Sequence, residues 1–309
     1  PARSIFHMKK IIIIIFLWLA IVNVFALLAL NRFNLESDTA YHWINPAEFF
    51  QTKTWHFVSL HARWDSFWYL DVAKNGYSFK GPDELSNPGF FPLYPFSIRA
   101  VAFLLGGLSA QAGDFVLAGW ILSVLFLLLA AIYFAKLTRE FHKEIDYRLP
   151  VILLLVFPTA FFLNAIYAEP LLLFLSIAGF YYGLKRNFLL AGIFGGLAAL
   201  TKITGLFIFI PLLWEYFKSN GFRVFKARFF SLLLIPLATF SFFLYHYLKF
   251  GDFFLYLKLQ SWWGRTFSLN KEHFLLFSNP AKANFFIDLA FVLIGCAAIY
   301  FIFKRLRFS

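Results

Sequence analysis

The chain is short of several things that most proteins have. It holds one cysteine, Cys296, so neither an intrachain disulfide nor a cysteine-based metal site is open to it. Its seven histidines form no i, i+4 pair of the kind that binds zinc on a helix. No Gly-rich dinucleotide fingerprint, long-period repeat or low-complexity linker is present. Charge is scarce at 14% of residues, and acids are scarcer than bases, 16 against 28. A net charge of +12 would suit nucleic acid, but the basic residues are scattered between apolar runs rather than gathered in one patch. In membrane proteins that arrangement encodes orientation.

What is present is apolar. Hydrophobic residues make up 61% of the chain, with 46 phenylalanines among them. This predicts an all-α polytopic integral membrane protein in a single domain, residues 1–309. Residues 1–7 precede the sole methionine, Met8. Ile11 to Leu30 follows Lys9 and Lys10 and is long enough to cross a hydrocarbon core of ~30 Å. It lacks a small-residue cleavage site and reads as a retained helix with its N-terminus inside. Further spans are predicted at Phe115 to Phe134, Pro150 to Leu163, Pro170 to Leu184, Leu189 to Leu200, Leu206 to Trp214, Phe229 to Leu248 and Phe285 to Phe303, about eight with the first. Lys136, Arg139, Lys143 and Arg148, then Lys185 and Arg186, then Lys218, Arg223, Lys226 and Arg228, and finally Lys304, Arg305 and Arg307 then fall on the cytoplasmic side. Counting Phe90 to Gly107 as a further crossing would reverse the later clusters. It is therefore read as a juxtamembrane or partly inserted helix.

Two outer loops result, 31–114 and 250–283. The first holds His61 to Pro95, where Arg63, Asp65, Asp71, Asp83 and Glu84 stand among Trp, Tyr and Phe. Dense charge in an apolar chain serves water or a polar ligand, and rings with polar tips suit both a membrane surface and a sugar. Leu60 to Ala73 is predicted as a surface helix that sets His61, Asp65 and Tyr69 on one face. Asp71 reads as a solvated side chain. On the same outer side fall Asn164, Tyr167 and Glu169, then Lys202, then Trp262, Trp263 and Arg265. Ionisable groups at membrane depth are costly and mark substrate paths. Each also has a plainer reading: a helix N-terminal acid for Glu169, a snorkelling cation for Lys202, an interfacial anchor for Arg265.

Four ordered segments carry a resemblance. They are RWDSFWYLDVAKNGY (63–77), GFFPLYP (89–95), PTAFFLNAIYAEPLLLFLS (158–176) and AALTKITGL (198–206). Together they resemble the motifs of the PIG-V mannosyltransferases, a GT-C-type family of membrane glycosyltransferases, over roughly Ile11 to Leu213. The family often has Arg-Ser-Asn-Gly where this chain has Lys202-Ile203-Thr204-Gly205. The resemblance implies an inverting transfer of mannose from a polyprenyl-phosphate donor to a lipid or glycolipid acceptor on the non-cytoplasmic face. Eukaryotic members use dolichyl-phosphate mannose and a glycosylphosphatidylinositol precursor. It implies residence in the plasma membrane of a prokaryote or the endoplasmic reticulum of a eukaryote.

The residues suit that chemistry. A lipid phosphate is already a good leaving group and needs a cation nearby, Lys202 or Arg265, rather than an acid. The acceptor hydroxyl needs one base, and Asp65 beside Trp64, Trp68 and Tyr69 is the candidate, with Glu169 as its competitor. Arg63, Trp64, Tyr69, Asn164, Tyr167, Trp262 and Trp263 complete the substrate-binding set. No organic cofactor is required. Asp65 and Asp71 leave a divalent metal open. The rival readings are a flippase or transporter of lipid-linked sugars, and a non-catalytic scaffold.

Overall fold

The computed structural model describes residues 2–33, 56–81, 84–220, 227–262 and, in part, 289–300. Among these there are α- and 3₁₀-helices and no strand, as the composition predicts. The chain divides into two units, 1–262 and 263–309. In the second, the described residues are helical, with Leu289, Val292, Leu293 and Ile294 exposed. Most of the predicted span Phe285 to Phe303 lies outside the described residues, as do Asp83, Trp263 and Arg265.

The first unit opens with α1 (Ala2–Phe33). Its apolar residues run all round the helix, yet among its described side chains only the i, i+4 stripe Ile11, Ile15 and Leu19 is buried, while Ile13, Phe16, Leu17, Ile21 and Phe25 stay exposed. An apolar helix buried on one stripe has its other faces suited to hydrocarbon. The stripe packs on α5, described below, through Leu127, Ala131 and Ala135.

Two short helices follow, α2 (His56–Ser59) and α3 (Ser66–Asn75). The continuous helix predicted over Leu60 to Ala73 is thus broken, and Trp64 adopts a positive φ of 45° in the gap. That turn takes His61 off the Asp65 and Tyr69 face. Next come α4 (Leu93–Gly106) and α5 (Ala112–Phe141). The long α5 starts with a reciprocal capping box between Gln111 and Asp114, which satisfies two of its free N-terminal amides.

The predicted span Pro150 to Leu163 is also interrupted. Helix α6 (Leu149–Leu155) stops after two turns, and a 3₁₀ turn covers Ala160–Leu163. Pro158 explains the stop, since it has no N–H for the Leu154 carbonyl and its ring disfavours a helical Phe157. The indole of Trp18 donates to the Leu155 carbonyl left open at this end, at 2.8 Å.

Helices α7 (Glu169–Leu184) and α8 (Phe188–Thr201) form a hairpin in which Asn187 caps α8 by accepting from Leu190 N at 3.2 Å. A 3₁₀ stretch, Ile203–Ile208, leads into α9 (Phe209–Asn220). Then come α10 (Ala227–Leu232), α11 (Leu234–Phe250) and α12 (Leu255–Trp262). The predicted span Phe229 to Leu248 breaks at Leu233, because Pro236 cannot donate to the Leu232 carbonyl and fits only in the first turn of a new helix. Gly192 lets α10 lie directly on α8. A Cβ there would come within 2.0 Å of the Ser231 carbonyl oxygen.

Among the described residues, Met8–Leu28 and Ala112–Phe141 are the stretches long and apolar enough to cross a membrane alone. Leu93–Ser109, Glu169–Leu184 and Phe188–Thr201 are apolar but shorter.

Candidate active site

The site is built from three stretches far apart in sequence. The first is the turn into α3. Arg63 N donates to Ser66 Oγ and Ser66 N to the Arg63 carbonyl, both at 3.0 Å, which closes the turn around Trp64. Asp65 is the N-cap residue, but its carboxylate makes no capping bond to the helix. Its backbone N–H donates instead to the Tyr167 hydroxyl at 3.1 Å. Trp64 is 47% exposed, with its ring beside Phe161 and Phe162.

The Phe91-Pro92-Leu93-Tyr94-Pro95 segment supports this turn from below. Tyr94 is fully buried and pairs its hydroxyl with Ser123 Oγ at 2.7 Å and the Gly119 carbonyl at 3.1 Å. Its ring meets Tyr69 edge-on at 5.2 Å. Arg99, on α4, donates to the Val72, Ala73 and Lys74 carbonyls and so caps the C-terminus of α3.

The second stretch is the turn before α7. Tyr167 packs on Phe162 at 4.9 Å and on Tyr69 at 6.2 Å. Glu169 begins α7, where the helix dipole favours a carboxylate. The third is Lys202, in extended backbone at the end of α8. Lys202 Nζ donates to Glu169 Oε1 at 2.6 Å. Gly205 permits the tight return that places Lys202 there, because a Cβ would lie 2.1 Å from the Ala198 carbonyl oxygen.

The electrostatics of the cluster are uneven. Glu169 Oε2 is buried with no hydrogen-bond partner. A carboxylate oxygen shut from water without a donor is unfavourable unless a ligand supplies one. Burial, then the neighbouring Glu169 and Asp65 carboxylates, raise the Tyr69 hydroxyl well above its ordinary range, so it stays protonated. Lys202 keeps 39% of its side chain exposed, and its ammonium has three donors. Among the described residues no group of three His, Cys, Asp or Glu side chains gathers for a metal ion.

Asp65, Tyr69, Tyr167, Glu169 and Lys202 therefore meet. Asn164 is engaged elsewhere, accepting from Trp120 Nε1 at 3.3 Å and donating to Asn23 Oδ1 at 3.0 Å. Trp262 ends α12. Asp71, read from sequence as solvated, accepts from Asn87 Nδ2 at 2.6 Å and from Asn75 Nδ2 at 2.9 Å. Asn87, Arg99, His61 and Asn23 went unnoticed as supports. Asn23 had a visible signal as a lone amide in an apolar span.

A family model described as Mannosyltransferase (PIG-V) matches residues 8–258. The chain belongs to this family. The match takes in every described site residue except Trp262. Two curated relatives, both named GPI mannosyltransferase 2, come from Cryptococcus neoformans var. neoformans serotype D, strains JEC21 and B-3501A. Each is 29% identical over 152 residues, covering 49% of this chain and 36% of the relative's length. The aligned stretch thus spans about a third of those proteins. No solved structure matches.

Proposed function

We propose that the chain is an inverting glycosyltransferase of GT-C type that moves mannose from a polyprenyl-phosphate donor to a hydroxyl of a lipid or glycolipid acceptor. The observation that carries this reading is the meeting of Asp65, Tyr69, Tyr167, Glu169 and Lys202, with one Glu169 oxygen held by Lys202 and the other unpartnered.

In the reaction the acceptor oxygen attacks the anomeric carbon. The bond from that carbon to the phosphate oxygen breaks, and the phosphate leaves with the electron pair. The acceptor proton passes to Asp65, a single base on the face opposite the leaving group. Lys202 stands beside the phosphate and stabilises the charge that grows as it departs; Arg265, the other cation that the sequence offers for this role, lies outside the described residues. Glu169 holds Lys202 in place with Oε1 and offers Oε2 to a sugar or acceptor hydroxyl. Trp64 and Tyr69 supply ring faces for the sugar, and Arg63 and Tyr167 complete the surroundings, while Asn164 acts only through the buried network that backs the site. The chemistry calls for no cofactor.

The site belongs to the non-cytoplasmic face of a multi-pass protein of about eight spans. A crossing by α5 has support in two polar levels: Trp120 near one end and Arg139 near the other stand nineteen positions apart. At 1.5 Å per residue that is ~28 Å, one hydrocarbon thickness.

The test is to incubate purified protein with a polyprenyl-phosphate mannose and a glycolipid acceptor and to follow release of polyprenyl phosphate. Release in step with acceptor mannosylation is expected. A protein that turns over only a nucleotide sugar, or moves the lipid donor across a vesicle without cleaving it, overturns the reading.

A further inference from the structure

We propose that Thr239 and His246, on the buried face of α11, are further substrate-binding residues that hold a sugar ring beside Lys202. The inference rests on the reading of the chain as a glycosyltransferase that uses lipid-linked sugars. That face runs through Ile235, Thr239, Phe242 and His246. His246 is fully buried and Thr239 is 6% exposed. Yet the Thr239 hydroxyl and both His246 ring nitrogens have no hydrogen-bond partner among the described residues. Comparable groups elsewhere in the protein are served. Ser97, Ser123, Thr138 and Thr201 each donate to the carbonyl four residues back along their helix. His61, buried like His246, meets Asn23 Oδ1 and the Val58 carbonyl. A buried polar atom left bare is unfavourable unless something beyond the packed helices supplies its partner. Glu169 Oε2, on the residue that holds Lys202, is in the same condition.

Helix register brings these atoms to the site. The α8 helix and the α10–α11 pair run side by side in one direction, since Gly192 faces Ser231, Gly195 faces Ile235 and Gly196 faces Leu234. Seven residues on from the contact of Gly195 with Ile235, Lys202 comes level with Phe242. Ile203 accordingly packs on the cluster that holds Phe242. Thr239 is about one turn before that level and His246 about one turn beyond it. The Phe242 ring lies 4.6 Å from Phe91, in the segment that supports the Asp65 turn, and 4.3 Å from the His246 ring. Phe250, Tyr245 and Tyr77 surround the imidazole at 6.1, 6.2 and 6.5 Å. The Tyr77 hydroxyl is already taken up by the Phe90 carbonyl at 2.7 Å. Tyr245 and Phe250 are only half-buried, so the imidazole lies one side chain deep, and a substrate ring reaches it by displacing one of them. The chemistry of the group selects the ligand. A hydroxyl and an uncharged imidazole each donate and accept. An acyl chain would leave them bare, and a phosphate is served by Lys202. A sugar has hydroxyls to pair with both, and a C–H face to lie on the surrounding rings.

The test measures what a sugar adds to binding. Full-length protein in detergent is titrated with decaprenyl-phosphate mannose and with decaprenyl phosphate, then with monoglucosyl diacylglycerol and with diacylglycerol. Bound lipid is read by native mass spectrometry. In the parent, the sugar is expected to tighten binding of at least one pair by about tenfold or more. In His246→Phe, which puts an apolar ring into the same aromatic surroundings, that gain should fall about tenfold while the thermal midpoint holds or rises. Thr239→Val should lose part of the gain. A loss in the decaprenyl pair assigns the two residues to the donor sugar, and a loss in the diacylglycerol pair assigns them to a sugar on the acceptor. A sugar gain absent from the parent, or unchanged in both variants for both pairs, overturns the proposal. An unchanged gain with a lowered midpoint would mean that the two side chains hold only a structural water. If His246→Phe does not fold, the near-isosteric Thr239→Val decides. A protein that transfers mannose with its sugar gain intact in the variants overturns this inference alone. One that binds the sugar through these residues but transfers none overturns the proposed function instead.

Discussion

The two ends of α5 treat polar groups in opposite ways. Near Trp120 they are neutral, buried and matched. Asn23 Nδ2 donates to the Leu19 carbonyl, which fixes the amide so that Oδ1 receives Asn164 Nδ2 at 3.0 Å and His61 Nε2 at 2.6 Å. Near Arg139 they are charged and exposed, with Arg148 paired to Asp146 and Lys185 to Glu140. A matched buried network fixes geometry and leaves no donor or acceptor for a ligand, whereas a polar group without a partner stays available to one. The same contrast recurs within the candidate site. Asn164 is closed on protein partners, while Glu169 Oε2 has none.

The largest effect is expected from Asp65→Asn. It keeps the shape of the α3 turn and removes the proposed base, so mannose transfer should fall by about 10²- to 10⁴-fold with the protein still folded. Glu169→Gln is assayed beside it. Normal turnover in the Asp65 variant with none in the Glu169 variant would exchange the two roles. Asn23→Ala attacks the matched end. It leaves the His61 and Asn164 donors unpaired in a buried place, at about 1–3 kcal/mol each. Thermal unfolding should drop by several degrees, and activity should follow the folded fraction. An unchanged midpoint would mean the network holds nothing in place.

Acid is a gentler probe of the same end. Burial pushes His61 from 6.5 down to about 4, against the Val58 carbonyl beside Nδ1, which favours a second proton. The unfolded chain binds that proton more readily. The stability contributed is therefore complete above about pH 6.5 and is lost as pH falls towards about 4, on the order of 3 kcal/mol in all. A His61→Gln variant should show a flatter midpoint across that window than the parent, and parallel curves would remove His61 as the cause. The smallest effect is expected at the charged end. Asp146→Asn breaks an exposed ion pair and should change stability by no more than about 1 kcal/mol in a denaturant titration. A larger loss would mean that this end, too, is held together by its own charges.

The helical class and the family were legible because both rest on order along the chain. Apolar runs showed as composition, and the segments at 63–77, 89–95, 158–176 and 198–206 kept their sequence order. The helix breaks at Pro158 and Pro236 were less legible, since a proline inside an apolar run is compatible with a kinked span, and tertiary packing decides whether the helix resumes. The partners of His61 and Asp71 were hidden for another reason. Asn23 lies 38 positions from His61, and Asn87 lies 16 from Asp71, and no local pattern joins them. The Lys202 to Glu169 pair spans 33 positions. The two residues drew attention separately, as charges in apolar surroundings, and the fold brings them together.

Asn87 has one more consequence. It receives Ser78 N at 2.9 Å on its oxygen and donates to the Gly76 carbonyl at 3.0 Å, so the chain that leaves α3 is tied off where it departs and where it returns. Arg99 clamps the same helix end from α4. Lys80 N also donates to Ser86 Oγ at 3.0 Å, so the chain is held at both of these residues, and a change in the length of the stretch between them is expected to leave Asp65 in place. Closing a longer loop adds only about 0.6 kcal/mol per doubling of its length. A longer insertion there is therefore expected to cost little stability and to leave the α3 turn unmoved.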